Sequence, residues 1–156
     1  MSNIPFLKGL IAAGGLAIAM TGGAQAAEPT VVELTQTACQ FLESEHGVDH
    51  GFKTASKADC ETINNTSGDE RLTRSKVLEL TPGKHVFRVT NRDVPYALGF
   101  WLRGDGVIGR ATLPSVSGGG LTTGATKDYE ITLTEGEYLY SCPLNPTLDY
   151  KIVVKG

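Results

Sequence analysis

The chain has 156 residues and a formal net charge of −3, a length and balance that suit one folded domain rather than two. Lys and Arg are scattered singly, which excludes a basic nucleic-acid-binding face. Both methionines, Met1 and Met20, lie near the N-terminus, so the rest of the chain has no thioether and a methionine-rich metal carrier is excluded.

Residues 1–26 read as an export signal. Lys8 is the only charge ahead of an apolar run from Gly9 to Met20, and Ala24-Gln25-Ala26 supplies small residues for cleavage before Ala27. The run is shorter than the ~20 residues needed to cross a bilayer. The mature domain expected from this, 27–156, is soluble, free of the membrane after signal removal, and periplasmic or secreted. Loss of Lys8 takes its charge from −3 to −4. A chain of that size buries a real core.

Three cysteines in an oxidising compartment point to one disulfide and one spare thiol. Cys39 and Cys60 share the polar N-terminal third and are expected to pair, which the chain-entropy model values at roughly 3 kcal/mol. Cys142 lies far off in a different kind of segment.

In chain order, Thr30 to Leu34 is a short β-type run. An insertion follows over about 36–75, polar and charged, with a helix expected over Ser56 to Asn64, Ser56 as its N-cap and Asp59 at the third position. From Lys76 the pattern changes. Val77 to Leu80 leads into the turn signal Thr81-Pro82-Gly83-Lys84, and His85 to Asn91 then alternates with period two. Tyr96 to Leu102 is a buried strand, with one of Phe100 and Trp101 facing the core and the other the second sheet or the insertion. Arg103 to Ala125 reads as an ordered, glycine-rich loop whose Gly118-Gly119-Gly120 would meet a partner. Tyr129 to Leu133, Glu137 to Cys142 and Tyr150 to Val154 complete an all-β sandwich.

Two segments resemble the cupredoxin (blue-copper) family. Thr81-Pro82-Gly83-Lys84-His85-Val86-Phe87-Arg88-Val89-Thr90-Asn91 is similar to the family's strand ending in Asn shortly before its first copper histidine. Thr134-Glu135-Gly136-Glu137-Tyr138-Leu139-Tyr140-Ser141-Cys142-Pro143 is similar to its penultimate strand ending in the copper cysteine. The resemblance, over about Val77 to Lys155, implies a cupredoxin-like Greek-key β-sandwich and a copper cofactor. The departures are equally specific. Tyr96 stands nearest the place of the first histidine, and Leu144 to Tyr150 supplies neither the second histidine nor a methionine. A conventional one-electron carrier needs two imidazoles beside the thiolate. It is therefore not expected.

A non-standard site has to borrow its imidazoles. His85 is expected as an exposed strand residue at the opposite pole, because six steps of ~3.3 Å separate it from Asn91. In the family the first strand runs parallel to the one ending in Asn. The segment after Leu34 would then emerge beside Cys142, and His46 and His50 could join that thiol around copper or zinc. The competing readings are a solvated loop for the two histidines, a zinc knuckle of Cys39, His46, His50 and Cys60, and a buried, inert Cys142. No Ser–His–Asp or Cys–His–Asn arrangement has local support, so no enzymatic activity is expected. Function is expected as copper handling through Cys142, His46 and His50, or as a metal-free module that docks a periplasmic protein.

Overall fold

The computed structural model describes residues 27–156; the expected signal segment lies outside them. In chain order the elements are β1 (Thr30–Thr37), β2 (Gln40–Phe41), a 3-10 turn (Glu43–Glu45), α1 (Lys57–Arg74), β3 (Leu78–Leu80), β4 (Gly83–Asn91), β5 (Leu98–Gly104), α2 (Gly106–Thr112), β6 (Val116–Leu121), β7 (Thr126–Leu133), β8 (Gly136–Ser141) and β9 (Tyr150–Val154). One sheet has the order β2-β1-β4-β7 and the other β3-β9-β8-β5-β6.

The alternation in β4 sends His85, Phe87, Val89 and Asn91 inward. β1 pairs with it in parallel from Thr30↔His85 to Gln36↔Asn91, so both strands deliver their C-terminal ends to the same pole. Between the sheets the aromatic rings interlock, with Phe100 and Tyr129 centroids 5.1 Å apart, Phe41 and Tyr140 5.4 Å, and Phe87 and Phe100 5.5 Å. Offset and edge-on pairs at such separations add ~0.5–1.5 kcal/mol each beyond area burial.

The insertion is more regular than its composition indicates. α1 extends well past Asn64, to Arg74. Its start is as read from the sequence, for the Asp59 carboxylate accepts the Ala55 and Ser56 N–H groups at 2.8 and 2.9 Å. What buries is a sparse stripe of Cys60, Gly68 and Arg71 rather than an apolar face. The helix is therefore fastened at points. Cys60 is bonded to Cys39, with Cα atoms 5.1 Å apart, and Gly68 lies against Leu148. Reducing this disulfide, which links residues 21 apart, is expected to cost about 3 kcal/mol, measurable by denaturant unfolding with and without reductant.

Two expectations are corrected. The Arg103–Ala125 stretch is not a loop. It carries α2 and then β6, an edge strand, and Gly118-Gly119-Gly120 lie in that strand. Strand pairing overrides the glycines because Gly118 pairs with Phe100 and lies on the Tyr129 ring, where a Cβ would come within 2.9 Å of the aromatic carbon. His85 is at the pole opposite Asn91 but is buried, because β4 is an interior strand and position 85 is on its core face. Of the paired aromatics, Phe100 enters the core, while Trp101 lies outside it under the Arg103 guanidinium, 4.0 Å from the ring centroid.

Candidate functional site

Cys142 follows β8 at the pole reached by the ends of β1 and β4. It is 0% exposed, and its Sγ accepts the N–H groups of Gly99 and Asn145, both at 3.3 Å. Burial pushes its pKa up from the ordinary thiol value; the amide bonds from Gly99, Asn145 and Leu144 offset this only in part. The group is a neutral thiol near pH 7. Gln36, from the end of β1, crosses between the sheets and donates through Nε2 to Gly99 O at 2.8 Å, which fixes the strand that carries one of those amides.

The place three residues beyond Cys142 is filled by Asn145, also 0% exposed. Its Nδ2 donates to Thr37 O at 2.9 Å, and its Oδ1 accepts the Cys39 N–H at 3.0 Å. Cys60 Sγ lies 3.2 Å from the same oxygen; within a disulfide it has no hydrogen to donate, so this is a packing contact. The Tyr96 hydroxyl stands 3.5 Å from Oδ1 and 3.2 Å from Thr54 Oγ1. One carboxamide thus ties the first hairpin, the disulfide and the Tyr96 turn to the Cys142 loop. Asn91 ties that turn from the other side. Its Nδ2 reaches the carbonyls of Val94, Tyr96 and Leu121, each at 3.2 Å, and its Oδ1 accepts the Val94 N–H at 2.9 Å.

The two insertion histidines go elsewhere. β1 does bring its following segment to the pole, but Cys39 is what arrives there. His46 sits beyond the 3-10 turn with φ 58°, its Nε2 2.9 Å from Arg74 O at the end of α1. His50 Nε2 lies 2.6 Å from Glu45 Oε2 and its ring stacks on Phe52. Cys142, His46 and His50 therefore form no common site. The zinc knuckle of Cys39, His46, His50 and Cys60 fails as well, since its thiols are oxidised to a disulfide. Among the described residues no group of three or more His, Cys, Asp or Glu side chains is placed to hold a metal ion.

What holds His50 is a buried ion pair, Glu45 with Arg71, that has no local signature in the sequence. Arg71 donates to Glu45 through Nε at 3.0 Å and Nη2 at 2.6 Å, to Cys39 O at 3.1 Å and to Asn64 Oδ1 at 3.0 Å. The Tyr150 hydroxyl donates to Glu45 Oε1 at 2.5 Å. Burial works to raise the Glu45 pKa, but the bonds from Arg71, Tyr150 and His50 outweigh it and hold the carboxyl below its ordinary value of 4.5. Because the folded-state value is the lower one, its contribution to stability is full above the unfolded value and is lost as pH falls through the folded one. A fall in melting temperature on acidification below about pH 4.5 is expected, smaller in Glu45→Gln, as read by thermal unfolding across pH.

Copper does not fit the residues gathered at this pole. Cys142 is the single thiol there, Tyr96 and Asn145 stand in the regions where imidazoles would be needed, and the Asn145 polar atoms are committed to Thr37 O and the Cys39 N–H.

No family model and no curated protein matches this chain. Solved structures do. Auracyanin B aligns over 86% of this chain and 97% of its own, with 13% identity and a TM-score of 0.50. Auracyanin A, described as a "blue" copper protein from Chloroflexus aurantiacus, aligns over 82% and 100% with 16% identity and a TM-score of 0.44. Among the described residues no helix is long and apolar enough to cross a membrane. The likeness is one of fold. This chain is a divergent cupredoxin-like β-sandwich with a helical, disulfide-closed insertion.

Proposed function

We propose that the protein is exported and acts, in its disulfide form, as a metal-independent binding module rather than an enzyme or electron carrier. The observation that supports this best is Asn145: a fully buried carboxamide fills the pole that a copper site would need. Outside this plug the surface turns apolar. Leu144 is 47% exposed and borders a shallow groove with Phe100, Trp101, Pro143, Gly118 and Gly119. An exposed leucine beside such a groove suits a protein partner. Affinity capture from the compartment of origin, with a chelator present, tests the reading. An identified partner should bind wild type and Cys142→Ser equally and Leu144→Lys poorly. Binding that requires added copper, or that survives Leu144→Lys, contradicts it.

A second reading, copper handling through a non-standard site that includes Cys142, is favoured by one observation. The sulfur keeps two amide donors, the kind of partners that stabilise a thiolate. Since His46 and His50 are engaged elsewhere, its other ligands have to be different residues.

A further inference from the structure

The two sheets end in four edge strands, and one of them is undefended. β2 and β3 are two and three residues long, and β7 carries Lys127, Asp128 and Glu130. Short strands and charged side chains are the ordinary means of keeping a second chain off an edge. β6 has neither. It runs for six residues, and its Ser117-Gly118-Gly119-Gly120 stretch is exposed throughout and uncharged.

The fold accounts for two of these glycines and not for the third. A Cβ at Gly118 would meet the Tyr129 ring, and Gly120 has a φ of 72°. Gly119 is under no such demand, because a Cβ there would rest 3.8 Å from Leu144, an ordinary contact. The side chain missing at Gly119 leaves open backbone in the middle of the edge, beside the groove that Leu144 and Trp101 border.

The rim of that groove is cationic, in a chain whose net charge is −3. Lys127 reaches over from β7 and donates through Nζ to Gly119 O at 2.7 Å. Arg110, from α2, holds its Cζ 5.9 Å from the Trp101 ring centroid. Both side chains are exposed, and among the described residues neither forms an ion pair. Arg103, the other cation on Trp101, is already paired with Asp149 at 2.7 Å. We propose, resting on the docking reading above, that β6 takes an extended acidic segment of a partner protein as an added strand. Its carboxylates lie beside Lys127 and Arg110, and an apolar side chain rests against Leu144.

In strand addition the main chain supplies affinity and alternate side chains supply specificity. The Lys127 ammonium now sits on a neutral carbonyl. A carboxylate is the stronger, charge-assisted partner, so the incoming segment draws Lys127 away and gives Gly119 O a backbone N–H in exchange. A basic segment would bring like charges against two free cations and is rejected.

The test is selection of random linear peptides, displayed on phage, against the purified disulfide form with a chelator present. Selected peptides are synthesised and their affinities read by fluorescence anisotropy. They are expected to carry Asp and Glu around an apolar residue. Arg110→Glu with Lys127→Glu should weaken them about tenfold at low ionic strength, and less in high salt. Gly119→Val, which closes the open backbone, should weaken them as well. Methylating the peptide nitrogens one at a time should abolish binding at alternate positions, the signature of a paired strand. Circular dichroism of each variant reports whether the sandwich persists, and the methylation result needs no variant at all. Selected peptides that are not acidic, or that bind the doubly reversed variant as tightly as wild type, overturn the acidic partner. Binding indifferent to methylation overturns strand addition. In both cases a loss in Leu144→Lys leaves the docking reading standing, whereas binding indifferent to Leu144→Lys contradicts the two together. Recovery of no peptide overturns the added strand, and the affinity capture described above then decides the docking reading alone.

Discussion

Arg71→Met is expected to lower stability by about 3–5 kcal/mol, because it leaves the Glu45 carboxylate buried without its cation. Both side chains are about 95% inaccessible, so water cannot take over the role of the lost guanidinium. Arg71 also carries bonds to Cys39 O and Asn64 Oδ1 that no aliphatic chain can replace. Glu45→Leu should cost a similar amount by stranding Arg71 and removing the acceptor of Tyr150. The double change Glu45→Leu with Arg71→Met should cost less than the sum of the two, since it strands no charge. Denaturant unfolding of the four proteins reads this directly. Loss of under about 1 kcal/mol in Arg71→Met would mean the pair is solvated and that α1 does not depend on it.

Asn145→Ala should destabilise by about 2–5 kcal/mol, from two buried backbone groups left without partners, the Cys39 N–H and the Thr37 carbonyl. For a domain of this size that is a fall in melting temperature on the order of 10–20 °C. Asn145→Asp keeps the acceptor for Cys39 and loses the donor to Thr37 while adding a buried charge, so it should not rescue. The effect would also reach function, because Asn145 is the group that closes the Cys142 pole. If Asn145→Ala melts with the wild type, the carboxamide is not the keystone described above.

Much of the sandwich is visible in the amino-acid pattern because the residues that build it obey a local rule. His85 to Asn91 and Gly136 to Ser141 alternate, Thr81-Pro82-Gly83 turns, and the buried rings fall on one face of each strand. The parallel course of β1 beside β4 was also accessible, through the family resemblance, and it correctly leads the insertion to the Cys142 pole. α1 was seen only at its capped start. A helix that buries Cys60, Gly68 and Arg71 has no hydrophobic stripe, and periodicity has nothing to detect. β6 was hidden by its glycines, which serve close packing against Phe100 and Tyr129 and resemble loop residues in composition.

The site is illegible in the sequence for a different reason. His46 and His50 are chemically suited to a metal, and the chain does pass the pole, but their partners are Arg74 O and Glu45. Those contacts depend on where α1 ends and on a carboxylate held by Arg71, neither of which has a local signature. Asn145 carries no local signal as a site residue, because it is neither an imidazole nor a thioether and its polar neighbours come from residues more than a hundred positions upstream (Thr37 and Cys39). Its bracketing by Pro143 and Pro146 is the one sequence feature that marks the residue as held in place.

On the proposed reading, Asn145 and the α1 fastening close the Cys142 pole to copper in the disulfide form. Adding Cu(II) to the oxidised protein and recording the visible spectrum tests it most directly, since a copper ion bound to the Cys142 thiolate absorbs strongly there. No such band is expected, and Cys142 should remain unreactive. An intense band that disappears in Cys142→Ser would contradict it.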